Sequence, residues 1–261
     1  EIASCLVGSE MCIRDRYKSN DDFMNMKKAG KIVSTIHSEL ENMSSPGTRI
    51  EELDKKAEEI ITKSNSISNF FNYRGFPSYI CASVNDVVVH GIPKNFVIEE
   101  GDILSIDVGC IVNGYHADAA LTYGVGEISD EDQKLIDVTK KALYEGIKLV
   151  KDGQKLGTIG NKIQKIGNKN SYGVVREYVG HGIGLSMHED PQVPNYGIKN
   201  KGFTLKTGMA ICIEPMFNLG SAETKVDPDG WTVRTVDGKK SAHWEHTIGI
   251  MEDEVCIFTE R

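Results

Sequence analysis

Hydrophobic positions fall into two textures that take turns along the chain. Between residues 21 and 43, Phe23, Met26, Ala29, Val33, Ile36 and Leu40 recur every three or four positions, which predicts an amphipathic helix. Asn20 or Asp21 is placed to cap it, and Ser-Ser-Pro-Gly at 44–47 stops it. Thr48 with Glu51 reads as a capping box that opens a second helix through about residue 64. The pattern then shifts to β-rich runs at 79–89, 103–112 and 116–124. Helical texture returns at 130–151, opened by Ser129 with Asp132 three residues on, and again at about 155–168. Strand-like runs follow at 173–179, 209–214, 231–236 and 242–250. Asp227-Pro228-Asp229-Gly230 and Asp237-Gly238 mark turns between them.

The order helix, helix, strands therefore occurs twice. Gly101-Asp-Ile-Leu-Ser-Ile-Asp107 aligns with Gly208-Met-Ala-Ile-Cys-Ile-Glu214 at a shift of 107 residues, which puts Asp107 and Glu214 in register. His90-Gly91-Ile92 and His181-Gly182-Ile183 correspond at a shift of 91. These matches favour one domain of two similar halves, and no Pro/Ser-rich linker divides the chain.

Composition narrows the class. The chain has 261 residues, 39% hydrophobic and 26% charged, as in ordinary globular proteins. No apolar run is long enough for a transmembrane helix, so no membrane partner is expected. The net charge of −8 and the lack of a basic run argue against a nucleic-acid backbone as the main partner. Six cysteines occur without a CxxC pair, which points to a reducing compartment.

The N-terminal segment stands apart. Residues 6–15, LVGSEMCIRD, are the translation of CTC GTG GGC TCG GAG ATG TGT ATA AGA GAC, which resembles a transposon adapter from sequencing libraries. Residues 1–16 or so are therefore read as an artefact outside the fold, and 17–261 as a single domain. No signal peptide is read in this segment, because acidic Glu1 and Glu10 flank its apolar part.

Candidate chemistry begins at a hairpin. Asn113-Gly114 signals a two-residue type I′ turn. With the turn there, Asp107 faces Ala120 and Asp118 faces Gly109. The two aspartates then share one face as diagonal neighbours, roughly 7–8 Å apart at the backbone. Leu104, Ile106, Val108, Ala119, Leu121 and Tyr123 take the other face and read as core. Two carboxylates on one face disfavour each other's ionised form unless a cation lies between them. On spacing alone, such a pair is more often a solvated polar face than a metal site.

Glu214 lies in a buried-looking strand, AICIEPM, and a carboxylate there needs a partner or a metal. Glu245 lies in AHWEHTI, His181 in GHGIG, His188 in MHEDP and His90 in VVVHGIP. Four carboxylates with one imidazole make a hard, oxygen-rich donor set suited to two divalent ions and unlike a closed structural zinc site.

The motifs VNDVVVHGIP, GDILSIDVG, NGYHADAALTY, VVREYVGHGIGLSMHEDPQVPNYG, ICIEPMF, DGWTVRT and SAHWEHTIGI together resemble the type I methionine aminopeptidases, over about residues 20–260. That resemblance implies an α+β pita-bread fold. Its two pseudo-symmetric halves share a curved, mainly antiparallel sheet covered by helices on its outer face. It implies five metal ligands. Asp118 and Glu245 would bridge two divalent ions (Co, Mn, Fe, Zn or Ni), Asp107 would complete one shell, and His181 with Glu214 the other. A hydroxide held between the ions would attack the carbonyl of an N-terminal methionine. Glu214 would carry the proton, and His90 and His188 would contact the substrate and stabilise developing charge. Tyr73, Phe76, Cys81, Met187 and Trp231 match pocket positions for the methionine side chain. Phe76 stands for a frequent Tyr, Met187 for a Phe found in some members, and Phe70 for a Cys in some.

The implied activity is removal of the initiator methionine from nascent proteins and peptides when the second residue is small. The implied setting is the cytoplasm, at the ribosome, by a monomer. An X-Pro aminopeptidase-type hydrolase would share the metal set, and a non-catalytic pita-bread binding protein would share the fold. The first usually carries a further N-terminal domain, and the second typically loses ligands, none of which is lost here.

Overall fold

The computed structural model describes residues 17–261, so the adapter-like segment lies outside the described residues. The first half opens with α1 (Asn20–Met43) and α2 (Ile50–Lys63). It continues with β1 (Ile67–Ser68), β2 (Ile80–Val84), β3 (Val87–Val89), β4 (Ile103–Val112) and β5 (Tyr115–Gly124). The second half opens with α3 (Asp130–Ile147) and α4 (Leu156–Lys169). Short strands follow: β6 (Gly173–Val174), β7 (Gly180–Gly182), β8 (Glu189–Val193), β9 (Ala210–Ile213) and β10 (Met216–Asn218). The chain finishes with β11 (Thr224–Val226), β12 (Val233–Thr235), β13 (Ser241–His243), β14 (His246–Ile250) and β15 (Val255–Ile257).

Two helix starts differ from the sequence expectation. Ser19, not Asn20 or Asp21, caps α1: its hydroxyl accepts the Asp22 N–H, and the Asp22 carboxylate accepts the Ser19 N–H. The Thr48/Glu51 box does not form, because two neighbouring segments take its groups. Thr48 Oγ1 donates to Met43 O at 2.9 Å, and Glu51 Oε1 accepts the Asn95 N–H. Arg49 stands at the cap without a side-chain bond, while the Ile50 N–H donates to Phe96 O. Ser129 caps α3 as its spacing predicts. That helix ends at Ile147 rather than 151.

The long hairpin forms in the expected register. Asn113 and Gly114 have φ of 50° and 83°, the left-handed pair a type I′ turn requires. Asp107 pairs with Ala120 and Asp118 with Gly109. One edge of β4 carries β5, and the other carries β2 and, further along, β1. Leu104, Ile106, Val108 and Ala119 pack beneath Val33, Ile36 and Leu40 of α1 and Leu53 and Ala57 of α2. Leu121 instead joins the core of the second half.

That second core lies between α3 and α4 and a five-stranded sheet of order β15-β14-β9-β7-β8. Phe23 and Met26 near the start of α1 reach across to Ile183, Cys212 and Phe258. The expected run at 79–89 is split into β2 and β3 at Asn85, whose φ is 54°. The expected run at 242–250 breaks at Trp244-Glu245 between β13 and β14. Only Gly173–Val174 of the run at 173–179 pairs as strand. Cys81, Cys110, Cys212 and Cys256 are free thiols. No helix among the described residues is long and apolar enough to cross a membrane.

Candidate active site

The halves meet along a seam between β5 and the β13–β14 segment. Positions 118, 120 and 122 lie opposite 247, 245 and 243. At the centre the Glu245 N–H donates to Ala120 O at 2.7 Å. On either side a threonine hydroxyl replaces the backbone bond. The His243 N–H donates to Thr122 Oγ1 at 2.9 Å, and Thr122 Oγ1 donates to His243 O at 2.7 Å. Thr247 Oγ1 accepts the Asp118 N–H at 3.0 Å and lies 3.1 Å from Asp118 Oδ1. This stitching sets Asp118 beside Glu245, both buried.

His181 on β7 completes the cluster. Its Nε2 lies 3.6 Å from Glu214 Oε1, 3.9 Å from Asp118 Oδ2 and 4.0 Å from Glu245 Oε1. Its Nδ1 sits 2.9 Å from the Gly182 carbonyl. With the ring proton donated to that carbonyl, Nε2 presents a lone pair to three carboxylates, the tautomer a metal-binding histidine needs. Cys212 also enters the cluster and donates to Asp118 Oδ1 at 2.9 Å.

The electrostatics fit a cation. Burial, then the neighbouring Asp118 and Glu214, pushes the Asp107 carboxyl well above its usual range. Burial, then Asp118 and Glu214, does the same to Glu245. Burial would also raise Glu214, but the nearby imidazoles of His243, His181 and His188 hold it low. Asp107 Oδ1 is buried without a hydrogen-bond partner. A buried oxygen acceptor without a donor is costly unless something positive faces it. An imidazole lone pair among carboxylate oxygens meets the same requirement, so these residues suit divalent metal ions.

All twelve candidate site residues named in the sequence, and Phe70 with them, line one cavity of about 300 Å³. Asp107, Asp118, His181, Glu214 and Glu245 form its polar end. Phe76, Cys81 and Met187, with Phe70, Tyr73 and Trp231, form an apolar wall. Phe76 and Trp231 meet edge to face at 5.1 Å. His90 adopts a φ of 58°, a left-handed conformation that a residue with a side chain reaches only at a cost. It enters the cavity at the end of β3, and burial holds its pKa down at about 4. His188 stands at the mouth, with Nδ1 3.0 Å from the Tyr73 hydroxyl and its ring 4.4 Å from that of His181.

The cavity also takes Arg74, Val89, Tyr178, Val179 and His243, which the sequence reading did not select. His243 is the most consequential. Its Nε2 is buried, lacks a hydrogen-bond partner and points at Glu214 Oε2 from 3.7 Å. A signal existed: His243, Glu245 and Thr247 alternate along one strand-like run, and the period of two puts all three on one face.

Comparison with known proteins accords with this geometry. The profile of metallopeptidase family M24 matches residues 24–252. Methionine aminopeptidase 1 of Bacillus subtilis is 51% identical over 234 residues, which cover 90% of this chain and 94% of that protein. The crystal structure of methionine aminopeptidase from Thermotoga maritima superposes with a TM-score of 0.93 at 41% identity, covering 95% of this chain and 100% of that one. A prolidase from Pyrococcus furiosus superposes at 0.77 with 21% identity, and this chain covers 66% of it, a likeness of fold alone. The chain therefore belongs to metallopeptidase family M24, where its close relatives are methionine aminopeptidases of pita-bread fold.

Proposed function

We propose that the protein is a metal-dependent hydrolase that removes methionine from the N-terminus of polypeptides whose second residue is small. The observation that carries this is one cavity with a carboxylate-lined end and an apolar wall. The apolar wall takes the methionine thioether, a soft and polarizable group. Asp118 and Glu245 at the seam, with Asp107, His181 and Glu214, would hold two divalent ions of the Mn, Fe, Co, Ni or Zn class at the polar end. When bound, such ions acidify a water and draw charge from the scissile carbonyl.

The remaining chemistry is done by side chains. Glu214, held low between His181 and His243, takes the proton of the attacking water and returns it to the leaving amine. His90, with its pKa near 4, is neutral at physiological pH and donates to the substrate from its ring N–H. With the Tyr73 hydroxyl donating to His188 Nδ1, the His188 proton sits on Nε2 and faces the developing oxyanion. Nascent chains emerging from the ribosome in the cytoplasm are the substrates, and residues 17–261 act as one catalytic domain, as a monomer.

The test is release of free methionine from Met-Ala-Ser by the full chain, after chelation and after return of Mn or Co. The expected result is metal-dependent release from this peptide and none of the first residue of Ala-Pro-Ser. Release from Ala-Pro-Ser alone would move the assignment to an X-Pro hydrolase. Silence towards both, by folded and metal-loaded protein, would leave a non-catalytic binding protein.

A further inference from the structure

We propose that Lys18 is a positioning residue for His188, acting through Glu189; this rests on the reading of His188 as a group that contacts substrate. The Lys18 Nζ donates to Glu189 Oε2 at 2.6 Å, with the two side chains only 3% and 15% exposed. The other oxygen of the same carboxylate accepts the Ser186 N–H at 3.1 Å. One carboxylate therefore clamps both flanks of His188, and Lys18 supplies the charge that holds the carboxylate in place.

The clamp is anchored at both ends. The Lys18 N–H donates to Gly208 O at 2.6 Å, just before β9. On the loop side, the Gly184 N–H donates to Ser186 O, and the His116 N–H on β5 donates to Gly184 O at 2.8 Å. The lysine stem packs so closely on the loop that a Cβ built on Gly184 would lie 2.2 Å from Lys18 Cε.

His188 itself stands exposed at the cavity mouth, with the Tyr73 hydroxyl as its hydrogen-bond partner. Its placement thus depends on the backbone that carries it. Removing the ammonium leaves a carboxylate of low exposure without this cation, and such a group turns towards water. The 186–189 backbone then moves with it. A donor displaced by about 1 Å from its target can cost on the order of 10²-fold in rate.

A double-mutant cycle on the full, Mn-loaded chain separates this role from a merely structural one. Turnover of Met-Ala-Ser, Mn affinity and melting temperature are measured for Lys18→Met, Glu189→Gln, His188→Ala and the Lys18→Met/His188→Ala pair. Lys18→Met is expected to lower kcat about 10-fold, within the loss that misplacement brings, with KM and Mn affinity unchanged. Lys18→Arg is expected to recover most of the rate. With His188 already replaced, the same Lys18 substitution is expected to change kcat by less than about two-fold, since coupled groups are non-additive. An equal loss in both backgrounds, or an unchanged kcat, overturns the proposal. Wild-type turnover by His188→Ala overturns the reading of His188 and the proposal with it. Should Lys18→Met fail to fold, Glu189→Gln is near-isosteric and carries the same comparison.

Discussion

The two halves supply carboxylates to one cavity by different constructions. In the first half, Asp107 and Asp118 ride on a single hairpin of two ten-residue strands. A local turn sets their spacing, and a continuous ladder holds it. In the second half, Glu214 follows the four-residue β9, Glu245 sits in the break before β14, and His181 lies in the three-residue β7. No local turn fixes those three. They are placed by a sheet whose members are far apart in sequence, and by threonine hydroxyls at the seam. Local geometry thus fixes one pair of the proposed ligands, whereas tertiary pairing fixes the other three. Asp118 and Glu245 belong to both systems because they face each other across the seam.

That difference is open to attack by substitution. The largest effect is expected from Asp118→Asn, which removes charge at the seam itself. Calorimetric titration with Mn should show both binding events weakened, by more than the roughly 10–100-fold that loss of an outer-shell partner brings. Asp107→Asn strikes the first half alone. It should abolish one binding event and leave the one supported by His181 and Glu214; loss of both would mean that the ligands do not divide between the halves. Thr247→Val cuts the seam without replacing a proposed ligand, removing only the hydroxyl that braces Asp118, and about a 10-fold loss in Mn affinity is expected, as for an outer-shell partner.

The next effect is one of pH. Asp107 and Glu245 hold their protons well above the ordinary range. A raised carboxyl contributes stability that is complete below its unfolded value and lost as pH rises through the folded one. The metal-free protein should therefore lose stability with rising pH, and Mn must displace protons to bind. The rise in melting temperature on adding Mn should be larger at about pH 7.5 than at about pH 5.5. A rise independent of pH would contradict the protonated state of the empty cluster.

The smallest effect lies away from the seam. Burial pushes Asp54 on α2 up to about 6, against the hydrogen bonds it accepts from the Ile80 and Tyr79 N–H groups. Its stabilising contribution is complete below the ordinary aspartate range and lost as pH approaches 6. Asp54→Asn keeps an acceptor but cannot ionise. Relative to wild type it should gain roughly 2–4 °C in melting temperature between about pH 4 and pH 7, the equivalent of about 1 kcal/mol.

The same contrast explains what the sequence made legible. The hairpin was readable because Asn113-Gly114 dictates a register within twenty residues. The four α-helices of the described residues were readable from their spacing, although the Thr48/Glu51 box lost its hydroxyl to Met43 O and its carboxylate to Asn95. Strands β7 and β8 were not readable, since Gly-His-Gly lacks β-formers and Pro191 interrupts the other. His181 of β7 entered the candidate set from its Gly-His-Gly context, and the resemblance supplied its role. His243 was missed, although its period of two with Glu245 along the run at 242–250 places both on one face. The seam itself has no local code: Thr122 and Thr247 gain their roles from residues more than a hundred positions away.

The most direct test is anomalous diffraction at the manganese edge from crystals of the Mn-loaded protein. Two peaks flanked by Asp118 and Glu245, one facing Asp107 and the other His181 and Glu214, are the expected result. Manganese bound elsewhere, or a loaded crystal with no peak between Asp118 and Glu245, would contradict a metal centre built across the seam.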